Sequence, residues 1–80
     1  MQDSAGGVGR MGNELTTLGG RIRAIRESQG LSIRDFADMA ELNKSQIVRI
    51  ESGQSDPHYT TLLRIARALE VSVGDFTDGG

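Results

Sequence analysis

The sequence contains no cysteine and no tryptophan, and it has only one proline, one histidine, one tyrosine and two phenylalanines. Each scarcity removes a class of protein. Without cysteine there is no disulfide and no thiolate metal site, and the chain suits a reducing compartment such as a bacterial cytoplasm. A lone His58 makes a poor metal centre and reads instead as a loop or cap residue. Tyr59, Phe36 and Phe76 read as core, which leaves no aromatic platform for stacking bases. No apolar run approaches the ~20 residues of a membrane span, and the N-terminus lacks the apolar centre of a signal peptide, so the chain reads as soluble. No glycine-rich loop follows a strand and no nucleophile has a base with reason to adjoin it. An enzyme, a cofactor and a small-molecule ligand are therefore not expected. An excess of basic charge is missing too: the net charge is -2, where nucleic-acid binders are often strongly basic. The distribution is more informative than the sum. Asp35, Asp38 and Glu41 cluster together, whereas residues 43–50 hold Lys44 and Arg49 and no acid.

What is present is helical periodicity. Eighty residues make one domain at most, and a domain of that size buries only about 60% of the surface its unfolded chain exposes. Residues 1–16 carry Gly6, Gly7, Gly9 and Gly12 with little apolar content, which predicts a flexible arm before a domain at 17–78. From Thr17, the residues Leu18, Ile22, Ile25 and Gln29 share a face, and Gly30 supplies a stop. Gly19 and Gly20 soften the start of this first helix by roughly 1 kcal/mol each relative to Ala. Ser32 with Asp35 opens a second helix that buries Phe36, Ala37 and Ala40. Asn43 with Gln46 opens a third that buries Ile47 and Ile50 and stops at Gly53. After a loop around Pro57, Leu62, Ile65, Ala66 and Leu69 define a fourth. Ser72 with Asp75 starts a short fifth that holds Phe76. No alternating strand pattern and no internal repeat is present.

The joint between the second and third helices carries most of the information. Two caps so close together force a tight turn, and helices joined this way cross at roughly 90 to 120°. Ala37 is small enough for the close approach, while Leu42 and Ile47 fill the wedge. With Ile47 set inward and about 100° per residue, Ile50 and Glu51 lie near the inward side while Ser45 and Arg49 point almost opposite. Lys44 sits in the first turn, where the helix dipole disfavours a cation by about 0.3 to 1 kcal/mol. A local cost of that kind points to an external benefit. By the same construction Arg26 on the first helix and Glu51 on the third both border the core, and Glu51, at a helix C-terminus, needs a partner.

Residues 21–32 ("RIRAIRESQGLS"), 36–53 ("FADMAELNKSQIVRIESG"), Pro57 and 61–76 ("TLLRIARALEVSVGDF") together resemble, in register, the phage-repressor helix-turn-helix family, also called the Cro or XRE type. The resemblance implies an all-α, compact five-helix, lambda-repressor-like DNA-binding domain with its helix-turn-helix at about 33–52. It implies a transcriptional regulator that binds a double-stranded, near-palindromic operator as a homodimer in the bacterial or phage cytoplasm, associated with the nucleoid. The third helix would read the major groove through Lys44, Ser45 and Arg49. Ile33, Arg34, Asn43, Gln46 and Ser52 would lie near phosphates, Ile33 through its backbone N–H alone. An Arg26–Glu51 pair would bridge the first and third helices. The dimer surface would lie around Leu63, Val71, Val73 and Phe76. The chain departs from the pattern at Glu41, where relatives carry Gly in the turn, and at Asp56, in a loop where relatives often carry a cation. The alternative is an antitoxin-like or coregulator module of the same fold, contacting a protein partner through the acidic second helix and the Arg64–Arg67 face.

Overall fold

The computed structural model describes the backbone of residues 6–77 and the side chains from Glu14 onward. Five helices follow one another: α1 (Gly6–Ser28), α2 (Ile33–Ala40), α3 (Lys44–Glu51), α4 (Tyr59–Leu69) and α5 (Gly74–Thr77). No strand occurs among the described residues.

Local chemistry accounts for most boundaries. Ser32 Oγ accepts the N–H of Asp35 at 3.0 Å to open α2. Asn43 and Gln46 exchange both bonds of a capping box, with Gln46 N–H to Asn43 Oδ1 at 2.9 Å and Asn43 N–H to Gln46 Oε1 at 3.0 Å. The amides of Asp35, Asn43 and Gln46, otherwise unpaired at these two helix starts, thereby find an acceptor from their own turn. Gly30 (φ 73°) and Gly53 (φ 80°) end α1 and α3 in the left-handed region, which costs glycine nothing. After α1, the Leu31 N–H reaches back to the Arg26 carbonyl at 3.2 Å, closing a Schellman turn.

Two helix ends use the same turn without glycine. Glu41 (φ 62°) and Glu70 (φ 61°) are both left-handed. Leu42 N–H bonds the Ala37 carbonyl at 2.9 Å, and Val71 N–H bonds that of Ala66 at 3.0 Å. A non-glycine residue there costs about 1 to 2 kcal/mol, and the cost is offset because Leu42 and Val71 are swung onto the core. At Glu41 this turn is the joint of the helix-turn-helix.

The core gathers Ile22 from α1, Phe36, Ala37 and Ala40 from α2, Ile47 and Ile50 from α3, Leu62, Ile65, Ala66 and Leu69 from α4, and Phe76 from α5. The helix α1 packs on α3 and α5, and α2 packs on α3 and α4. Side-chain tethers add to this: Gln29 Nε2 donates to the Leu69 carbonyl at 2.8 Å and Arg21 to that of Phe76 at 3.1 Å.

Three expectations change. The first helix does not start near Thr17 but runs from Gly6, so residues 6–16 are helical, while 1–5 lie outside the described residues. From Thr16 onward the helix is held by tertiary contacts. A Cβ at Gly19 would collide with the Ile50 carbonyl oxygen and come within 2.7 Å of that of Glu51, and one at Gly53 would meet Thr16 at 2.8 Å. The backbone of α1 thus lies against the end of α3 at Thr16 and Gly19, and there packing overrides the poor propensity of Gly19 and Gly20. Tyr59 is 63% exposed rather than core. It is the first residue of α4, one turn before Leu62, and projects past the edge of the core. Phe76, in contrast, is buried at 1% exposure, so it fills the core and is not available to a dimer surface.

Candidate nucleic-acid interface

The α2–α3 joint holds α3 with Ile47 and Ile50 buried and its opposite side bare. Lys44, Ser45, Val48, Arg49 and Ser52 are all exposed. Around the helix axis, measured from Ile47, Lys44 lies at about 60°, Val48 at about 100°, Ser52 at about 140°, Ser45 at about 160° and Arg49 at about 200°. These residues form one continuous arc carrying two cations and two hydroxyls and no acid. The first turn of α3 has no acidic residue to complement the dipole, and Arg49 occupies the last turn, where the dipole favours a cation.

The caps decide which polar atoms remain free to act. The capping box uses Asn43 Oδ1 and Gln46 Oε1 as acceptors, so what these side chains still offer outward is the N–H donors of their amides. Donors are what a phosphate oxygen requires. Ser52 Oγ donates to the Arg49 carbonyl at 3.3 Å, leaving its oxygen lone pairs outward. Ile33 and Arg34 stand in the first turn of α2, where backbone N–H groups have no intrahelical acceptor; Arg34 is exposed and Ile33 half-buried.

Two clefts flank α3. On one side, about 230 Å³ is enclosed by Ile33, Val48 and Ser52 over a floor of Arg26 and Glu51, with Arg23 at the rim. On the other, about 410 Å³ lies between Arg49 and the loop through Gln54, Asp56 and His58. Asp56 places a carboxylate where a phosphate-binding loop would favour a cation. His58 occupies the N-cap position of α4 but makes no side-chain cap bond.

Beneath the first cleft, Arg26 Nε donates to Glu51 Oε2 at 2.7 Å and Nη2 to Oε1 at 3.1 Å, a two-pronged pair between α1 and α3, and Nη1 donates to the Leu31 carbonyl at 2.8 Å. Both side chains are buried, at 9% and 6% exposure. The hydrogen bonding of Arg26 to the Glu51 carboxylate is the first reason that its guanidinium pKa stands above its ordinary value; burial opposes the shift, and the charges of Glu51 and Glu27 support it. Arg26 therefore keeps its charge at any pH short of strong alkali. Arg23 pairs with Glu27 on the surface at 3.0 Å, a contact worth little by itself. Every buried side-chain nitrogen and oxygen among the described residues has a partner, and no group of three or more His, Cys, Asp or Glu among them could hold a metal ion.

The structure therefore brings Lys44, Ser45 and Arg49 onto one exposed arc, sets Ile33, Asn43, Gln46 and Ser52 around it, and places Arg26 against Glu51. Two further residues of this surface, Val48 and Arg23, drew no attention in the sequence. The position of Val48 was legible, since its angle lies between those of Lys44 and Ser45, but an apolar residue next to Ile47 reads as core. Arg23 depends on where α1 lies against α3, which no local signal reports.

The chain is similar to the transcriptional regulator PuuR of Escherichia coli, at 33% identity over 66 residues covering 82% of this chain and 36% of that protein. It is also similar to the immunity repressor protein of Bacillus phage phi105, at 37% identity over 57 residues covering 71% of this chain and 40% of the repressor. The chain thus spans less than half the length of these curated relatives. The crystal structure of the restriction-modification controller protein C.AhdI of Aeromonas hydrophila superposes with a TM-score of 0.79 at 28% identity, covering 80% of this chain and 97% of that one. The helix-turn-helix family HTH_3 matches residues 22–76, which is more than half of the chain and includes the α2–α3 joint, the buried bridge and the last helix, and the chain belongs to that family.

Proposed function

We propose that this chain is the DNA-binding unit of a transcriptional regulator. It seats α3 in the major groove of double-stranded DNA and acts by occupying an operator. The observation that carries this reading is the arc of α3: two cations and two hydroxyls stand exposed on the side opposite Ile47, on a helix held by a buried ion pair and a fixed turn. A helix is the right width for a major groove. In this reading Lys44, Ser45 and Arg49 meet base edges, the amide donors of Asn43 and Gln46 and the backbone N–H groups of Ile33 and Arg34 meet phosphates, and Ser52 stands beside a phosphate, which its hydroxyl meets on turning from the Arg49 carbonyl. The similarity to named transcriptional regulators and to a phage repressor supports it.

One short recognition helix reads too few base pairs to find a site in a genome, so the chain binds as a homodimer to a near-palindromic operator with half-sites about 34 Å apart or a multiple of it. With Phe76 in the core, Leu63, Val71 and Val73 at the C-terminal end, all half-buried, are what remains of the apolar dimer surface. The site of action is the cytoplasm and nucleoid. No helix among the described residues is long and apolar enough to cross a membrane.

The test is selection of bound sequences from a random duplex pool, followed by titration of the best one at several salt concentrations. With three phosphates per chain, log K should fall against log salt with a slope of roughly -5 for the dimer. A folded protein showing no salt-sensitive binding to any duplex would exclude DNA and leave a protein-interaction module acting through Asp35, Asp38 and the exposed Met39 of α2.

A further inference from the structure

Val48 is 48% exposed in the middle of the arc proposed to face DNA. It lies one turn after Lys44 and one turn before Ser52, with Ser45 and Arg49 beside it. Scattered exposed apolar side chains are ordinary on any protein surface, but two features separate this one from that background. It is the one large apolar side chain on an arc otherwise made of cations and hydroxyls. It is also not isolated, since Ile33 at the start of α2 lines the same 230 Å³ cleft, and the two supply its apolar side chains along one flank of α3. A β-branched residue gains nothing as a solvent-exposed helix position, and a cation or hydroxyl there would add a phosphate contact.

The base edges of the major groove offer donors and acceptors throughout and a single apolar group, the C5 methyl of thymine. We propose that Val48, backed by Ile33, seats that methyl and so specifies thymine at one position of each half-site, next to the base pair met by Arg49. This inference rests on α3 lying in the major groove. It adds a reading by shape and hydrophobicity to readings by hydrogen bond. A methyl can be removed from DNA without disturbing any hydrogen bond, by replacing thymine with deoxyuridine, which isolates the contact.

The experiment uses the selected operator and a set of duplexes in which each thymine is replaced by deoxyuridine in turn. They are titrated with the wild-type chain and with Val48→Ala, whose helicity is checked by circular dichroism. Burying one methyl group corresponds to about four-fold in affinity, or about sixteen-fold when both half-sites are changed. Wild type should lose about four-fold at one thymine per half-site and much less at the others. Val48→Ala, which alters both protomers, should bind the thymine operator about as weakly as wild type binds a duplex with deoxyuridine at that position of both half-sites, about sixteen-fold below the wild-type complex, with no further loss on replacement there. If wild type is indifferent to deoxyuridine everywhere, or Val48→Ala retains the full penalty, Val48 reads no methyl, although DNA binding itself stands. If no duplex is bound at all, the proposed function fails and this inference with it.

Discussion

Gly19 and Gly20 are adjacent in one helix, and the same substitution at each should have opposite effects. By propensity alone they are equivalent, since replacing a helical glycine with alanine gains about 0.5 to 1 kcal/mol. At Gly20 nothing lies within 4 Å of the added Cβ, so the gain should be realised in full. For a domain of this size that corresponds to a rise in Tm of about 2 to 8 °C. At Gly19 the Cβ would meet the Ile50 carbonyl oxygen, the Glu51 carbonyl oxygen at 2.7 Å and its carbonyl carbon at 2.8 Å. All three are backbone atoms and cannot turn aside. The helix α1 must lift from α3, and the two are also joined by Ile22 at 0% exposure and by the 2.7 Å bond from Arg26 to Glu51. Overpacking costs about 1 to 3 kcal/mol. Weakening the bridge adds to this, so a net loss of about 3 kcal/mol and a fall in Tm of roughly 12 to 24 °C are expected. Thermal melts of both variants by far-UV circular dichroism decide the matter. Equal rises in Tm would show that α1 does not approach α3 at Gly19, and the account of close packing between the two helices would fail.

Arg26→Met leaves Glu51 buried without its partner, at a cost of about 3 to 5 kcal/mol. Against the roughly 4 to 11 kcal/mol available to some seventy ordered residues, a urea melt should show a domain close to unfolding; an unchanged midpoint would show the pair to be solvated. Glu41→Gly and Glu70→Gly relieve the left-handed turns and should each raise Tm by about 4 to 16 °C, with a fall at either site counting against that backbone conformation. Arg49→Ala should leave helicity intact, cost about 1 to 3 kcal/mol per half-site on the best operator and relax preference at a single base pair; equal losses on every sequence would move Arg49 to the phosphates. Lys44→Ala should weaken binding too, and if its contact is to phosphate the salt slope should drop by about 1 per chain, whereas an unchanged slope would make it a base contact.

What the sequence determined by itself is what depends on neighbours in the chain. Ser32, Asn43 and Ser72 open helices because each can bond an amide or a side chain three residues on, and Gly30 and Gly53 end helices because they enter the left-handed region without strain. The spacing of Leu62, Ile65, Ala66 and Leu69 placed those residues inside, and counting angles from Ile47 turned Ser45 and Arg49 outward. All of this is periodicity and capping, with a range of about one turn. What required the tertiary structure depends on how distant segments meet. The glycines of residues 6–16 read as flexible although α1 runs from Gly6, and the close approach of Thr16 and Gly19 to the end of α3 carries no local signal. Tyr59 lies on the inward stripe of α4 by count, but it is exposed because the core ends before the first turn of α4 does. Glu70 repeats the strained turn of Glu41 with no local signal, since the strain is offset by seating Val71 on the core. The two-pronged geometry of Arg26 on Glu51, and the apolar edge that Ile33 and Val48 share, join residues 25 and 15 positions apart. No rule of local spacing could bring them together, because the crossing angles of α1 and α2 over α3 are fixed by the packing of the whole core.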